Sequence, residues 1–222
     1  QLLNRMSKES FLTFMDDETI DLIICSSKKN TIIKGILSNV DESILNSLHQ
    51  TSLLEYLVKN FNTLHHIFEN IEENIACIFY NLVLKYYPNS LHIIISFNSK
   101  NQLAIIRNIG VYEFYRTIKN KEIFLYLDED VITVLIETEP FLSYFLDLDD
   151  KEIFNLVNRG VIISNKFSRN KKFLHKISNI DNPNEYRFLV MNILNNSYNN
   201  IKRYKWKRLK RIADYYDINK LM

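Results

Sequence analysis

Glycine is the most telling shortage in this 222-residue sequence: it occurs three times, as Gly35, Gly110 and Gly160, each isolated. Phosphate-binding loops, tight hairpins and nucleophile elbows need glycine where the chain takes positive φ or passes close to a ligand. Three isolated glycines therefore exclude the Gly-rich nucleotide loops and weigh against a many-stranded β fold. Proline is as scarce, at Pro88, Pro140 and Pro183. The two cysteines, Cys25 and Cys77, lie far apart in apolar surroundings. They offer no disulfide framework and are expected to be small buried hydrophobes. No apolar run reaches the ~18 residues of a membrane span, so no transmembrane segment is expected. The chain begins at Gln1, so an initiator Met, and any targeting signal with it, is expected upstream. The expected compartment is the cytosol or the nucleus.

What is present is ordinary globular composition, with 46% hydrophobic and 24% charged residues. A chain of this length buries a substantial core as one large domain or two small ones. Asn, Lys, Ile, Tyr and Phe are abundant, as in an AT-rich coding sequence, so a single Asn or Lys carries little functional weight.

Apolar residues recur at helical spacing almost throughout. Ser7 precedes a short helix over 8–14, and Asp16 or Asp17 caps a second containing Ile20, Ile23 and Ile24. Asn30 opens a third, Asp41 caps a fourth, and Leu53–Val58 marks a fifth. Phe61, Leu64, Ile67, Phe68 and Ile71 outline a sixth, and a longer helix follows over 73–87. Pro88 ends that helix and starts the next. The run Ile93–Ile95 has strand propensity but lacks partner strands, so it reads as buried helix. Further helices are expected over 101–108, 110–119, 121–127, 129–137, from Pro140, and from Asp149 or Asp150 to Asn158, with Gly160 as a stop. Three more, over 170–178, 183–196 and 199–216, complete the chain, and 161–168 is undecided. About a dozen short helices joined by polar turns predict an all-α fold of stacked helical hairpins, a HEAT- or armadillo-like α-solenoid, as a single domain over 1–222. A compact helical bundle is the alternative.

Catalytic chemistry finds little footing. His65, His66 and Glu69 in HHIFENIEE have the spacing of metal ligands on one helix face, but not the HExxH order of zinc hydrolases. A solvated face explains them better. The acidic clusters at 16–18, 128–130 and 147–150 each precede an apolar run, where carboxylates cap helix N-termini and favour the positive end of the dipole. No cofactor, metal or catalytic residue is therefore expected, and the chain reads as a non-enzyme.

The C-terminus carries a sharper signal. In KRYKWKRLKR, residues 202–211, seven of ten residues are basic, with Tyr204, Trp206 and Leu209 interleaved. Without those seven charges the formal net charge would fall from +2 to −5. A basic aromatic helix of this kind suits an acidic protein surface, a phosphate backbone or an anionic membrane surface. Arg203, Lys205, Trp206, Arg208 and Arg211 are its candidate contact residues.

Three collinear segments carry a family resemblance. FLTFMDDETIDLIICSSKKNTIIKGIL, residues 11–37, resembles the opening of SAPS-domain proteins: Phe14 and Met15 precede the acidic cap Asp16-Asp17-Glu18, and Asn30, Ile33 and Leu37 follow. The order Lys28-Lys29-Asn30 departs from the family's Asn-first arrangement. Residues 84–118 are similar to a segment in which Ile105–Gly110 takes the place of a Lys-His-Ile stretch, with Asn108 where the family usually has His. FLYLDEDVITVLIE, residues 124–137, resembles the next Leu-rich helix pair. SAPS-domain proteins are helical-repeat regulatory subunits of type-2A-like serine/threonine phosphatases, the protein phosphatase 6 and yeast Sit-four class. The resemblance implies a scaffold that holds a phosphatase catalytic subunit, whose metals belong to that partner. In the matched region Arg107, Asn108, Tyr112 and Arg116 are the candidate docking residues. The alternative is a helical nucleic-acid-binding module, or another protein-interaction module, using the basic 202–211 helix.

Overall fold

A computed structural model describes residues 6–118 and 121–161. Among them are thirteen α-helices, two 3₁₀ segments and no strand. The fold is all-α, as the periodicity implied. The helices expected after residue 168, including the basic one over 199–216, and nearly all of the undecided stretch 161–168 lie outside the described residues. No helix among the described residues is long and apolar enough to cross a membrane. The chain divides into two compact units between Asp128 and Glu129.

The first unit opens with three short helices, α1 (Lys8–Phe14), α2 (Asp17–Cys25) and α3 (Lys29–Asn39). Ser7 and Asp16 cap the first two by accepting the N–H groups of Ser10 and Thr19, which satisfies donors that a helix start leaves open. α3 starts one residue before the expected Asn30, with Lys28 at the N-cap and no side-chain cap. α4 (Glu42–Asn46) is capped by Asp41 as expected, and α5 (Ser52–Lys59) follows a 3₁₀ turn at Leu48–Gln50. The sixth helix shrinks to α6 (His65–Phe68). Its expected first turn folds as a run of turns, with the Thr63 and Leu64 N–H groups both on the Asn60 carbonyl, and the Asn60 and Thr63 side chains donating to the Tyr56 and Asn60 carbonyls.

α7 (Glu73–Tyr86) is the hub of this unit and packs against α4, α8 (Ser99–Ile109) and the 3₁₀ segment Pro88–Ser96. The Ile93–Ile95 run is thus helical and not a strand, but wound as 3₁₀ with Pro88 in its first turn. Phe68, Phe79 and Phe97 form an aromatic cluster, with ring centroids 5.1 Å (Phe68–Phe79) and 5.4 Å (Phe68–Phe97) apart. Tyr80 is buried beside them and its hydroxyl donates to the Leu91 carbonyl at 2.9 Å; burial pushes its pKa far up.

Two buried polar side chains on α8 tie the unit together. Asn101 Nδ2 donates to the Ile71 carbonyl at 2.9 Å. Gln102 Nε2 donates to the Phe97 carbonyl at 2.7 Å, while its Oε1 accepts the Asp128 N–H at 3.1 Å. Both are satisfied, as buried amides must be to avoid a desolvation penalty. Gly110, at φ +94°, turns the chain from α8 into α9 (Val111–Thr117), and α10 (Lys121–Tyr126) follows.

The second unit, as far as it is described, holds α11 (Glu129–Leu135), α12 (Phe141–Asp147) and α13 (Asp150–Arg159). Its core includes Val131, Ile132, Phe141, Phe145, Ile153 and Leu156. Asp149 and Glu152 close a reciprocal capping box at the start of α13, and Gly160 ends it at φ +121°.

Candidate functional site: an apolar groove between two helices

α2 and α3 form a helical hairpin joined by residues 26–28. Each presents one stripe to a shared groove. Thr19, Leu22, Ile23 and Ser26 come from α2 and its C-cap, and Ile32, Gly35, Ile36 and Asn39 from α3. Both sets follow i, i+3, i+4, i+7 spacing, which places each along one face of its helix. Met6 and Phe14 complete the lining of a groove of about 750 Å³.

The lining is apolar and open. Leu22 is 68% exposed and Phe14 52%, while Ile23 and Ile36 are buried in the floor. Large hydrophobes in that state are costly to leave in water, at about 25 cal/mol per Å² of apolar surface, and grouped exposure of this kind marks interaction sites. Gly35 contributes the open space. A Cβ built on it would meet nothing within 4 Å. Asn39 leans back to donate to the Gly35 carbonyl at 2.7 Å.

The two helices differ in charge, although no charged residue lines the groove itself. α2 carries Asp17, Glu18 and Asp21 and no base, with Asp16 at its cap; α3 carries Lys29 and Lys34 and no acid, with Lys28 at its cap. Asp16 has its pKa held below the usual carboxylate value because its carboxylate accepts the Thr19 backbone N–H. Asp17 Oδ1 accepts the Ser52 hydroxyl at 2.8 Å, which pins α2 to α5.

The four candidate docking residues of the first unit are all exposed and gather at the corner between α8 and α9. Asn108 accepts from Asn81 of α7 at 3.0 Å. Arg116 pairs with Glu113 one turn away at 2.8 Å, and Tyr112 is 62% exposed. Arg203, Lys205, Trp206, Arg208 and Arg211 lie outside the described residues.

Two of the histidines pack against aromatic rings. His49 stacks flat on Tyr86 at 4.4 Å, and His92 meets Phe61 edge-on at 4.7 Å. His65 and Glu69 lie 4.0 Å apart and half exposed, a solvated pair. No group of three or more metal-ligating side chains comes together among the described residues. A second depression of about 490 Å³, lined by residues including His92, Thr117, Glu122 and Tyr126, lies between the 3₁₀ segment and α10.

The cysteine expectation needs correction. Cys25 is exposed and Cys77 only half buried. Cys25 is the last residue of α2, and the buried side of that helix is taken by Ile20 and Ile23.

Sequence reading missed the groove, although a signal was there. α2 has apolar residues at 20, 22, 23 and 24, and α3 at 32, 33, 36 and 37. Leu22 falls outside the face that Ile20, Ile23 and Ile24 share, and Gly35 sits mid-helix where it costs stability. Comparison of the chain with protein-family models, with curated proteins and with solved structures finds no match.

Proposed function

We propose that this chain is a non-catalytic helical scaffold that binds a protein partner, with the α2–α3 groove as its principal docking surface. The single observation that carries the reading is the exposure of Phe14 and Leu22 along one continuous apolar groove. The SAPS resemblance names the partner as a type-2A-like serine/threonine phosphatase catalytic subunit, and its first segment, residues 11–37, spans most of the groove lining. In this proposal the helices stack as HEAT-like hairpins, and the α8–α9 corner with Arg107, Asn108, Tyr112 and Arg116 adds a polar contact of the Tyr- and Arg-rich kind common at interfaces. The protein works in the cytoplasm or nucleus and contributes no metal or cofactor of its own.

Co-purification with the type-2A-like catalytic subunit at moderate salt tests this reading. A stable stoichiometric complex that Leu22→Asp abolishes is the expected result. No complex, with the chain folded, would overturn the phosphatase assignment. The basic run 202–211 supports a second reading, nucleic-acid binding through Arg203, Lys205, Arg208 and Arg211. That binding would weaken steeply with salt as counterions are released.

A further inference from the structure

The polar ties of the first unit are unevenly spread. α8 is sewn to its neighbours. Asn98 and Asn101 donate to the carbonyls of Glu69 and Ile71, Lys100 pairs with Glu73, and Asn81 of α7 donates to Asn108. The α2–α3 hairpin is held differently. Every backbone hydrogen bond that residues 16–40 make closes inside that segment. Among the described residues, a single hydrogen bond, and no ion pair or ring contact, ties the segment to the rest of the unit. It runs from the Ser52 hydroxyl to Asp17 Oδ1 at 2.8 Å and is exposed to solvent.

What otherwise holds the hairpin is the burial of Ile20, Ile23, Ile33, Ile36 and Leu37. Apolar burial is strong but non-directional. α3 is also weakened from within by Gly35, a helix-interior glycine. The chain is extended at both ends of the hairpin, at Asp16 (ψ 167°) and at Val40 (ψ 150°), so it can turn there without unwinding a helix. Elements with few ties open at a lower free energy than the core that carries them. We infer that the α2–α3 hairpin opens as one unit, hinged at residues 16 and 40, with the Asp17–Ser52 hydrogen bond as its latch, while α7 and α8 stay folded.

The opening stands by itself, and its consequence for docking rests on the role given to the groove above. Leu22 and Ile32 belong to the hairpin, whereas Met6 and Phe14 belong to the chain before it. The groove is therefore complete only while the latch is closed. A partner seated on it holds the hairpin shut, and whatever draws Ser52 away from Asp17 takes the groove apart.

The test is native-state hydrogen exchange on the full chain in low urea, with no partner present. The amides of α2 and α3 should share one opening, with a shallower urea dependence than those of α7 and α8. Phe79→Leu should speed exchange in α7 and α8 about tenfold and leave α2 and α3 within about twofold, because the aromatic cluster is intact in the opened state. Ser52→Ala should speed exchange in both α2 and α3 about two- to tenfold, the range that one hydrogen bond carries. Asp17→Ala should do the same, and the double variant should speed it by less than the product of the two. Exchange of α2 and α3 only together with α7 and α8, with one urea dependence and one response to Phe79→Leu, would overturn the inference. So would a Ser52→Ala chain whose hairpin exchanges at the wild-type rate, or one in which α2 speeds up and α3 does not. Because no partner is present, such a failure would leave the scaffold reading standing.

Discussion

Gly35→Ala should stabilise this protein, and the reason lies in the groove. Gly35 is interior to α3, seven residues into Lys29–Asn39, with its φ in the ordinary helical range. Glycine in a helix interior costs about 0.8–1.0 kcal/mol relative to alanine, because it loses more backbone freedom on folding. That gain is often cancelled by a clash with whatever the missing Cβ made room for. Here the added Cβ meets nothing within 4 Å, so the cancelling term is absent. The net effect is a gain of about 1 kcal/mol, which raises Tm by roughly 2–4 °C in a protein of this size. In urea it moves the midpoint up by about 0.5 M for an m-value of about 2 kcal/mol/M. Circular dichroism of both proteins in urea reads this directly, with the slope unchanged. A lower midpoint for Gly35→Ala would refute the reasoning, because it would mean that the space beside Gly35 is filled in solution.

Other outcomes follow from the same geometry. Phe79→Ala should cost about 3–5 kcal/mol, the usual range for emptying a buried aromatic site, since Phe79 is fully buried against Phe68 and Phe97; a midpoint within 0.5 M of wild type, roughly 1 kcal/mol, would contradict that packing. A thiol reagent should modify Cys25 well before Cys77, because Cys25 is exposed and burial raises the Cys77 thiol pKa; equal rates in the folded protein would contradict the structure. Asp16 and Asp41 have folded pKa values below 3.8, each chiefly through a backbone N–H, from Thr19 and Ile44. A depressed carboxylate contributes stability that is present above its unfolded pKa and lost as pH falls through its folded pKa. The loss attributable to these two caps therefore lies below about pH 4. The double variant Asp16→Asn, Asp41→Asn, which keeps capping oxygens, should lose less stability than wild type between pH 5 and pH 3 in urea titrations; an identical loss would remove the caps from the explanation.

Helix type and most N-caps were legible in the sequence because they are local. Asp16, Asp41 and Asp149 cap as their positions ahead of apolar runs implied, and Gly160 stops α13. The failures came where tertiary packing decides. The start of the sixth helix, over 61–64, folds as turns, and Cys25 ended on the outer side of α2. The groove was hidden for a different reason. Periodicity shows that Leu22 is surplus to the buried face of α2, but not that it lies with Ile32 along one groove. The polar candidates at 107, 108, 112 and 116 were legible as surface, and the structure adds that Asn108 is engaged with Asn81 and Arg116 with Glu113.

Hydrogen–deuterium exchange on the complex with a type-2A-like catalytic subunit tests the docking role of the groove most directly. The expected result is slowed exchange across residues 17–39, the α2–α3 hairpin, relative to the free chain. Slowed exchange confined to the α8–α9 corner, or no complex to measure, would contradict it.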